Sequence, residues 1–326
     1  MYRRRLYIFL VLILLVFMIL LSVGIGSVDI GFKDIFWILV GKREDRLRDI
    51  ILLIRLPRTI GAAICGMALA VVGTFFQGLL RNPMADPYIL GVSSGSALGA
   101  TIAIVFNMGI VFVNLLSFVM GVLVTFFVYF ISSLNGRSST YTMILVGVAV
   151  SSFAFSFISL FMFIKHEQIA QIVMWIMGSF SLVGWSEVSY SAPIIIAGSF
   201  IMYLFSRDLN AIITGEESAE HLGIDVEVVR RILLFTGSVV TASCVSVSGI
   251  VGFVGLITPH ISRLLVGPDN RILVPFSGLM GGSFMVLADI LSRTVIKPAE
   301  VPVGVITAIF GAPFFLYLLM RVRRGE

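Results

Sequence analysis

Asp289 and Arg293 stand four residues apart in Ala288-Asp289-Ile290-Leu291-Ser292-Arg293, inside an apolar run. On a helix that spacing puts both on one face, where they can pair. An acid within such a run is a functional residue by default and could carry a proton in a secondary transporter. Arg293 offers a simpler account, a neutralised structural pair. His260, in Thr258-Pro259-His260-Ile261-Ser262-Arg263, could relay a proton or hold a metal. No second ligand or carboxylate sits at helical spacing from it, so it reads as a structural hydrogen-bonding residue. Cys65 and Cys244 both fall in apolar runs with no paired spacing and read as small packing residues. No metal site is expected.

The chain lacks G-x-x-x-x-G-K-[ST], so it cannot itself cradle nucleotide phosphates, and it carries neither H-E-x-x-H nor G-x-S-x-G. No catalytic residue and no resident cofactor are expected, and the chain does not read as an enzyme. Any energy source must come from outside the chain. One segment is suited to receive it. Residues 207–231 run from Arg207-Asp208-Leu209-Asn210 through Gly215-Glu216-Glu217, Ala219-Glu220-His221, Leu222-Gly223 and Asp225 to Arg230-Arg231 between two membrane-length apolar stretches. So charged a segment must sit in water. Leu222 and Ile224 could fill a partner's groove, or the whole could be a solvated loop.

The elements that position these residues are membrane helices. Of 326 residues, 58% are apolar and 13% charged, and mean hydropathy is +1.07. Soluble domains run at about 25% charged and about 45–50% apolar. The chain therefore reads as one polytopic, all-α domain over 1–326. The net charge of +5 does not form a Lys/Arg stripe interleaved with aromatics, which excludes nucleic acid as a partner. Apolar runs at 6–25, 57–80, 89–107, 109–134, 141–164, 189–206, 232–250, 251–266, 273–296 and 303–320 predict about ten crossings. The first follows Met1 to Arg5 and is longer than a signal-peptide core of about 7–15 residues, so it reads as an uncleaved helix. Residues 169–185 read as a short external or re-entrant helix.

Ten crossings place both termini inside, with Arg3 to Arg5, Arg81, Arg137, Arg207, Arg230-Arg231, Arg263, Arg271 and Arg321-Arg323-Arg324 cytoplasmic. The exception is an external polar segment, 26–58. Lys33, Lys42, Arg43, Arg46, Arg48, Arg55 and Arg58 there suggest an acidic partner, or a solvated amphipathic loop. Small residues at close spacing, Gly61 with Cys65, Gly66 with Ala70, Gly91, Gly95, Gly99 and Gly281-Gly282, let helices approach in lipid. Two segments break the helical pattern. In Arg81-Asn82-Pro83-Met84-Ala85-Asp86-Pro87-Tyr88 two prolines force a turn. Gly249-Ile250-Val251-Gly252-Phe253-Val254-Gly255 forms the second break. Each could be a tight connection, or irregular backbone lining a cavity.

These residues carry a resemblance. Arg55-Leu56-Pro57-Arg58; Arg81 to Pro87 with Leu90-Gly91-Val92-Ser93-Ser94-Gly95; Gly215-Glu216 with Ala219 and Leu222-Gly223; Gly252 to Leu256 with Pro259-His260; and Glu300-Val301-Pro302-Val303-Gly304 with Gly311-Ala312-Pro313-Phe314 occur in order over nearly the whole chain. Together they resemble the FecCD/BtuC-like permeases, membrane subunits of ATP-binding-cassette (ABC) importers for iron-siderophores, haem and cobalamin. The resemblance implies a type II ABC importer permease fold in the cytoplasmic (inner) membrane and a homodimer with its path at the two-fold interface. It also implies two cytoplasmic ATPase subunits, which hold ATP and Mg, and an external substrate-binding protein. Gly215, Glu216, Glu217, Ala219, Leu222 and Gly223 then match the ATPase-coupling loop. Arg55, Arg58 and Arg293 match positions facing acidic residues of the binding protein, and Asn82, Met84, Thr140 and Tyr141 match the cytoplasmic gate. Met84 stands where Leu is usual, and Ser218 departs from the E-A-A-x-x-x-G signature of other ABC importers. The expected mechanism is alternating access driven by the partner ATPase; the alternative is a proton-coupled secondary transporter using Asp289.

Overall fold

The computed structural model describes residues 2–26, 31, 37–38, 46–134 and 140–323. Most of the external polar segment, including Asp29, Lys33, Asp34, Lys42, Arg43, Glu44 and Asp45, lies outside the described residues, as do Arg137 and Arg324. Among those described, every regular element is helical. Apolar sequence in a lipid-like environment leaves the backbone no partner but itself, and the helix satisfies each amide within one segment.

Long helices are α1 (Tyr2–Gly24), α2 (Leu56–Leu79), α4 (Ile110–Ser133), α5 (Thr140–Ile164), α7 (Trp185–Leu204), α10 (Val226–Ser248), α12 (Asn270–Thr294) and α13 (Val303–Arg323). Shorter ones are α3 (Val92–Val105), α6 (Ile169–Ile176), α8 (Ser206–Thr214), α9 (Glu216–His221) and α11 (Val254–Val266). Seven are long and apolar enough to cross a membrane, and α3, α11 and Val303–Tyr317 of α13 form a shorter apolar set. Together they reproduce the run map of the sequence. Local chemistry sets several starts. Asp225 caps α10 by accepting from Val228 N at 3.0 Å, Asp269 caps α12 by accepting from Arg271 N at 3.2 Å, and Pro57 opens α2. A π-helical turn, Ile50–Arg55, leads into α2.

Helix α2 is the axis of the bundle, buried along nearly its whole length. It crosses α12 where Gly66 and Gly281 meet, each glycine's missing Cβ leaving room for the other's carbonyl oxygen. At the crossing with α11, Gly73 leaves room for the carbonyl of Gly255, while Gly255 packs against Leu69 O and the Pro87 ring. Any side chain at either crossing would drive the backbones apart. At the periphery the share of a span that is buried falls to 17% for Tyr141–Ile164, against 83% for Leu47–Leu79.

In two crossings the helix covers only about two thirds of the membrane core. The 14 residues of α3 rise about 21 Å and the 13 of α11 about 20 Å, at 1.5 Å per residue, short of the ~30 Å of a hydrocarbon core. The remainder is irregular chain, residues 80–91 before α3 and 249–253 before α11. Gly255 already lies at the level of Gly73, well down α2, and the carbonyl of Ile89 reaches Gly147, two turns into α5. Both breaks therefore run through the interior of the bundle. The helices accordingly begin inside the apolar runs 89–107 and 251–266, at Val92 and Val254; Ile89 and Leu90 lie in turns, with Ile89 N donating to Asp86 O at 3.1 Å and Gly91 N to Tyr88 O at 2.9 Å. The short helix expected in 169–185 is α6, and the rest of that stretch turns back to α7.

Candidate functional site

At the end of the bundle where α1 terminates, Arg55 and Arg293 close around its last turn, and Arg58 stands beside them on Asp289. The final carbonyls of a helix have no partner within it. Arg55 Nη1 donates to Val23 O at 2.9 Å and Gly24 O at 3.0 Å, and Arg293 Nη1 donates to Ser22 O at 3.3 Å and Ile25 O at 3.2 Å. Arg293 Nη2 also donates to Ser22 Oγ at 2.6 Å, which lies 2.8 Å from Thr59 Oγ1. Asp289 sits fully buried between two guanidinium groups. Its Oδ1 accepts from Arg58 Nε at 2.9 Å and lies 2.9 Å from Arg58 Nη2, and its Oδ2 makes a 3.0 Å ion contact with Arg293 Nη2. The last edge of Arg58, Nη1, donates to Glu300 Oε1 at 2.9 Å. The pair expected from sequence exists, but Arg58 and Glu300 complete it. Arg55, Arg58 and Arg293 are turned inward, exposed by only 5%, 6% and 7%, rather than projecting towards solvent.

The two interior breaks meet. Asn82 Oδ1 accepts from Met84 N and Asp86 Oδ1 from Tyr88 N, both at 2.9 Å, so each Asx-Pro unit folds on its own side chain. Tyr88 Oη donates to Val251 O at 2.9 Å and accepts from Val251 N at 3.3 Å, tying one irregular segment to the other. Gln77 Nε2 donates to Gly255 O at 3.3 Å and Leu256 O at 3.2 Å in the first turn of α11. Asn82 and Met84 are half-buried in this loop. Thr140 opens α5, and Tyr141 is 71% exposed; no hydrogen bond among the described residues joins Tyr141 to Asn82 or Met84.

The opposite end carries the charged island as α8 and α9. Six acids against three arginines in residues 207–231 give it a net charge of −3 in a chain of +5. Gly215 links the two helices in extended conformation, Ala219 is fully buried, and Leu222 is 73% exposed. Gly223 ends α9 with φ +82, a left-handed conformation glycine adopts without penalty. Glu217 projects outward. Glu216 Oε1 lies 2.9 Å from Arg230 Nη2 and 3.9 Å from Arg81 Nη2. Arg230 Nη1 reaches Glu227 Oε2 at 2.9 Å, and Arg81 Nη2 donates to Ile212 O at 2.8 Å. Arg81 itself has φ +46 and immediately precedes Asn82-Pro83. The island is thus joined to the start of an interior break through one side chain.

Further bonds moor α8. Asn210 Nδ2 donates to Asp269 Oδ1, and Asn270 Nδ2 to Asn210 Oδ1, both at 2.8 Å. The Arg271 guanidinium holds the Asp269 carboxyl well below the usual carboxylate range. A cavity of about 360 Å³ beside α9 is lined by Glu216, Glu220, Asp225, Glu227 and Arg230. His260 stacks edge-on with Phe314, ring centres 6.2 Å apart. Cys244 Sγ points at Cys65 O, 4.0 Å away, and both thiols are buried and free. Among the described residues no group of three His, Cys, Asp or Glu could hold a metal. Arg81, Tyr88, Asn210 and Glu300 were not separable by spacing as partners, because each meets its partner across a long stretch of sequence.

Comparison with known proteins gives consistent matches. The model of the FecCD transport family matches residues 14–321. The cobalamin import system permease protein BtuC of Halobacterium salinarum is 44% identical over 82% of this chain and 72% of its own length. The hemin transport system permease protein HmuU of Yersinia pestis is 35% identical over 98% of this chain and 96% of its own. A solved structure described as an inward-facing metal-chelate type ABC transporter superposes with a TM-score of 0.87 at 32% identity, covering 96% of this chain and 98% of that one.

Proposed function

Because the chain belongs to the FecCD transport family, we propose that it is the membrane permease subunit of an ABC importer that admits a metal chelate by alternating access. The relatives named for cobalamin and hemin transport make an iron-siderophore, haem or cobalamin-type chelate the substrate class. ATP and Mg belong to a partner ATPase. The observation that carries the reading is Arg81. It holds Ile212 O and faces Glu216 in the island, and its own backbone begins the break that runs through the bundle. A partner that displaces α8 together with α9 displaces Arg81, and with it the Asn82–Tyr88 turn and its bond to Val251. The permease contributes contacts that differ between two states, and the partner's nucleotide cycle biases them.

In this reading Gly215, Glu216, Glu217, Ala219, Leu222 and Gly223 form the coupling surface, with Leu222 as its apolar tip. The island and both termini face the cytoplasm of a cell whose inner membrane the bundle spans, in keeping with the basic loops on that side. An external binding protein delivers the chelate at the end held by Arg55, Arg58 and Arg293. A second copy covers α5. Ser152, Ser156 and Ser159 are exposed along that helix, each donating only to its own i−4 carbonyl at 2.9–3.0 Å. A hydroxyl stripe on the least buried span suits a water-lined path between two subunits better than lipid. The secondary-transporter alternative has less support, because both oxygens of Asp289 are already engaged by arginines.

The experiment is co-purification of the permease with its ATPase, followed by assay of chelate uptake in proteoliposomes. Leu222→Asp is expected to release the ATPase and abolish uptake while the permease remains folded. Retention of the ATPase by that variant would remove the coupling assignment.

A further inference from the structure

Among the described residues, the charge cluster at the α1 end joins Arg55, Arg58 and Arg293 to the last turn of α1, to Asp289 and to Glu300. Asp289 accepts from Nε of Arg58, lies within ion-pair distance of its Nη2 and faces Arg293, and Arg55 is engaged by the carbonyls of α1. The remaining edge of Arg58, Nη1, meets the half-exposed Glu300 at 2.9 Å. The Glu300 side chain is 41% exposed while that of Arg58 is 7% exposed. Glu300 lies in the connection between α12 and α13, outside either helix. The residue after it is fixed: Val301 N donates to Ser292 O at 2.9 Å, and Ser292 Oγ donates to Val301 O at 2.6 Å. The backbone can therefore stay in place while the Glu300 side chain swings off.

We infer that Glu300 is an internal place-holder, occupying the outward edge of Arg58 until a carboxylate of the external binding protein displaces it. This rests on the reading that Arg58 belongs to the docking surface, and it specifies how a buried arginine can serve there. Without Glu300, Asp289 would be the one acid among the described residues that Arg58 and Arg293 share, leaving the Nη1 edge of Arg58 without its counter-charge. An incoming carboxylate restores the same charge-assisted hydrogen bond. Exchange of like for like leaves the Asp289 core undisturbed and costs little, so docking is reversible. The place-holder also weakens docking of every acidic partner by the competition it imposes.

The test uses the complete permease–ATPase complex in lipid nanodiscs and the binding protein encoded with it, in ligand-free form, with affinity read by biolayer interferometry. Glu300→Gln should lower Kd several-fold, chiefly through slower dissociation, and Glu300→Asp should restore wild-type affinity. Unchanged or weaker binding by Glu300→Gln, with an unaltered thermal unfolding midpoint, would overturn the place-holder. A second variant separates the two readings: Arg58→Gln with Asp289→Asn removes cation and buried acid together, so neither is orphaned. Wild-type affinity in that double variant would overturn the docking reading itself. Weaker binding there, with no tightening by Glu300→Gln, would overturn the place-holder alone.

Discussion

The two ends of the molecule handle charge in opposite ways. At the α1 end, three arginines and Asp289 are buried, and their bonds cross between α1, α2 and α12. At the island end, acids outnumber bases, most side chains meet water, and a few bonds around Arg81, Asn210 and Arg230 hold two short helices. A buried ionic network is costly to break and fixes geometry. An exposed, sparsely moored one moves at little cost. The first end is built to stay in one arrangement, the second to be displaced.

The comparison breaks most sharply at Asp289. Asp289→Ala leaves Arg58 and Arg293 without their shared acid, and the loss should be about 3–5 kcal/mol, read as a lower unfolding midpoint in detergent. A neutral result would mean that the α1 end is no more rigid than the island. Arg81→Ala addresses the opposite end. Uptake should fall about tenfold, or ~1.4 kcal/mol of coupling, while ATPase activity in the assembled complex persists. If ATPase and uptake fall together, Arg81 acts in assembly and not in transmission.

Much of this contrast is legible in the sequence and some is not. Composition and run length mark the crossings because lipid demands long apolar helices. The Asp289–Arg293 pair is visible because helical spacing is local. Arg58 lies 231 residues from Asp289, and nothing in either neighbourhood names the other. The breaks are announced by Pro83, Pro87, Gly249 and Gly252, but their depth is not. Ile89, Leu90 and Val251 are as apolar as any helical residue, and only the packing of α2, α5 and α10 shows that they lie in non-helical chain inside the bundle. The island announces itself by charge, whereas its link to the break depends on one arginine reaching a backbone carbonyl.

Two smaller changes sharpen the same contrast. Tyr88→Phe removes the hydroxyl that both donates to and accepts from Val251, and should cost about 1 kcal/mol in unfolding free energy, with faster hydrogen exchange at Val251. Gly223→Ala forces a Cβ into a left-handed position with open space around it, so the cost should be confined to strain of about 1 kcal/mol. It is expected to shift coupling-loop stability without affecting the α1 end, measured as local exchange protection in α9.

The central claim is that the island receives the drive from a separate nucleotide-hydrolysing subunit. Proteoliposomes holding the permease with or without its ATPase test it directly, with labelled chelate, external binding protein and ATP on the side of the island. Accumulation should require the ATPase and ATP and persist when an ionophore collapses the proton gradient. Accumulation by the permease alone, or its loss to the ionophore while ATP remains, would contradict the account.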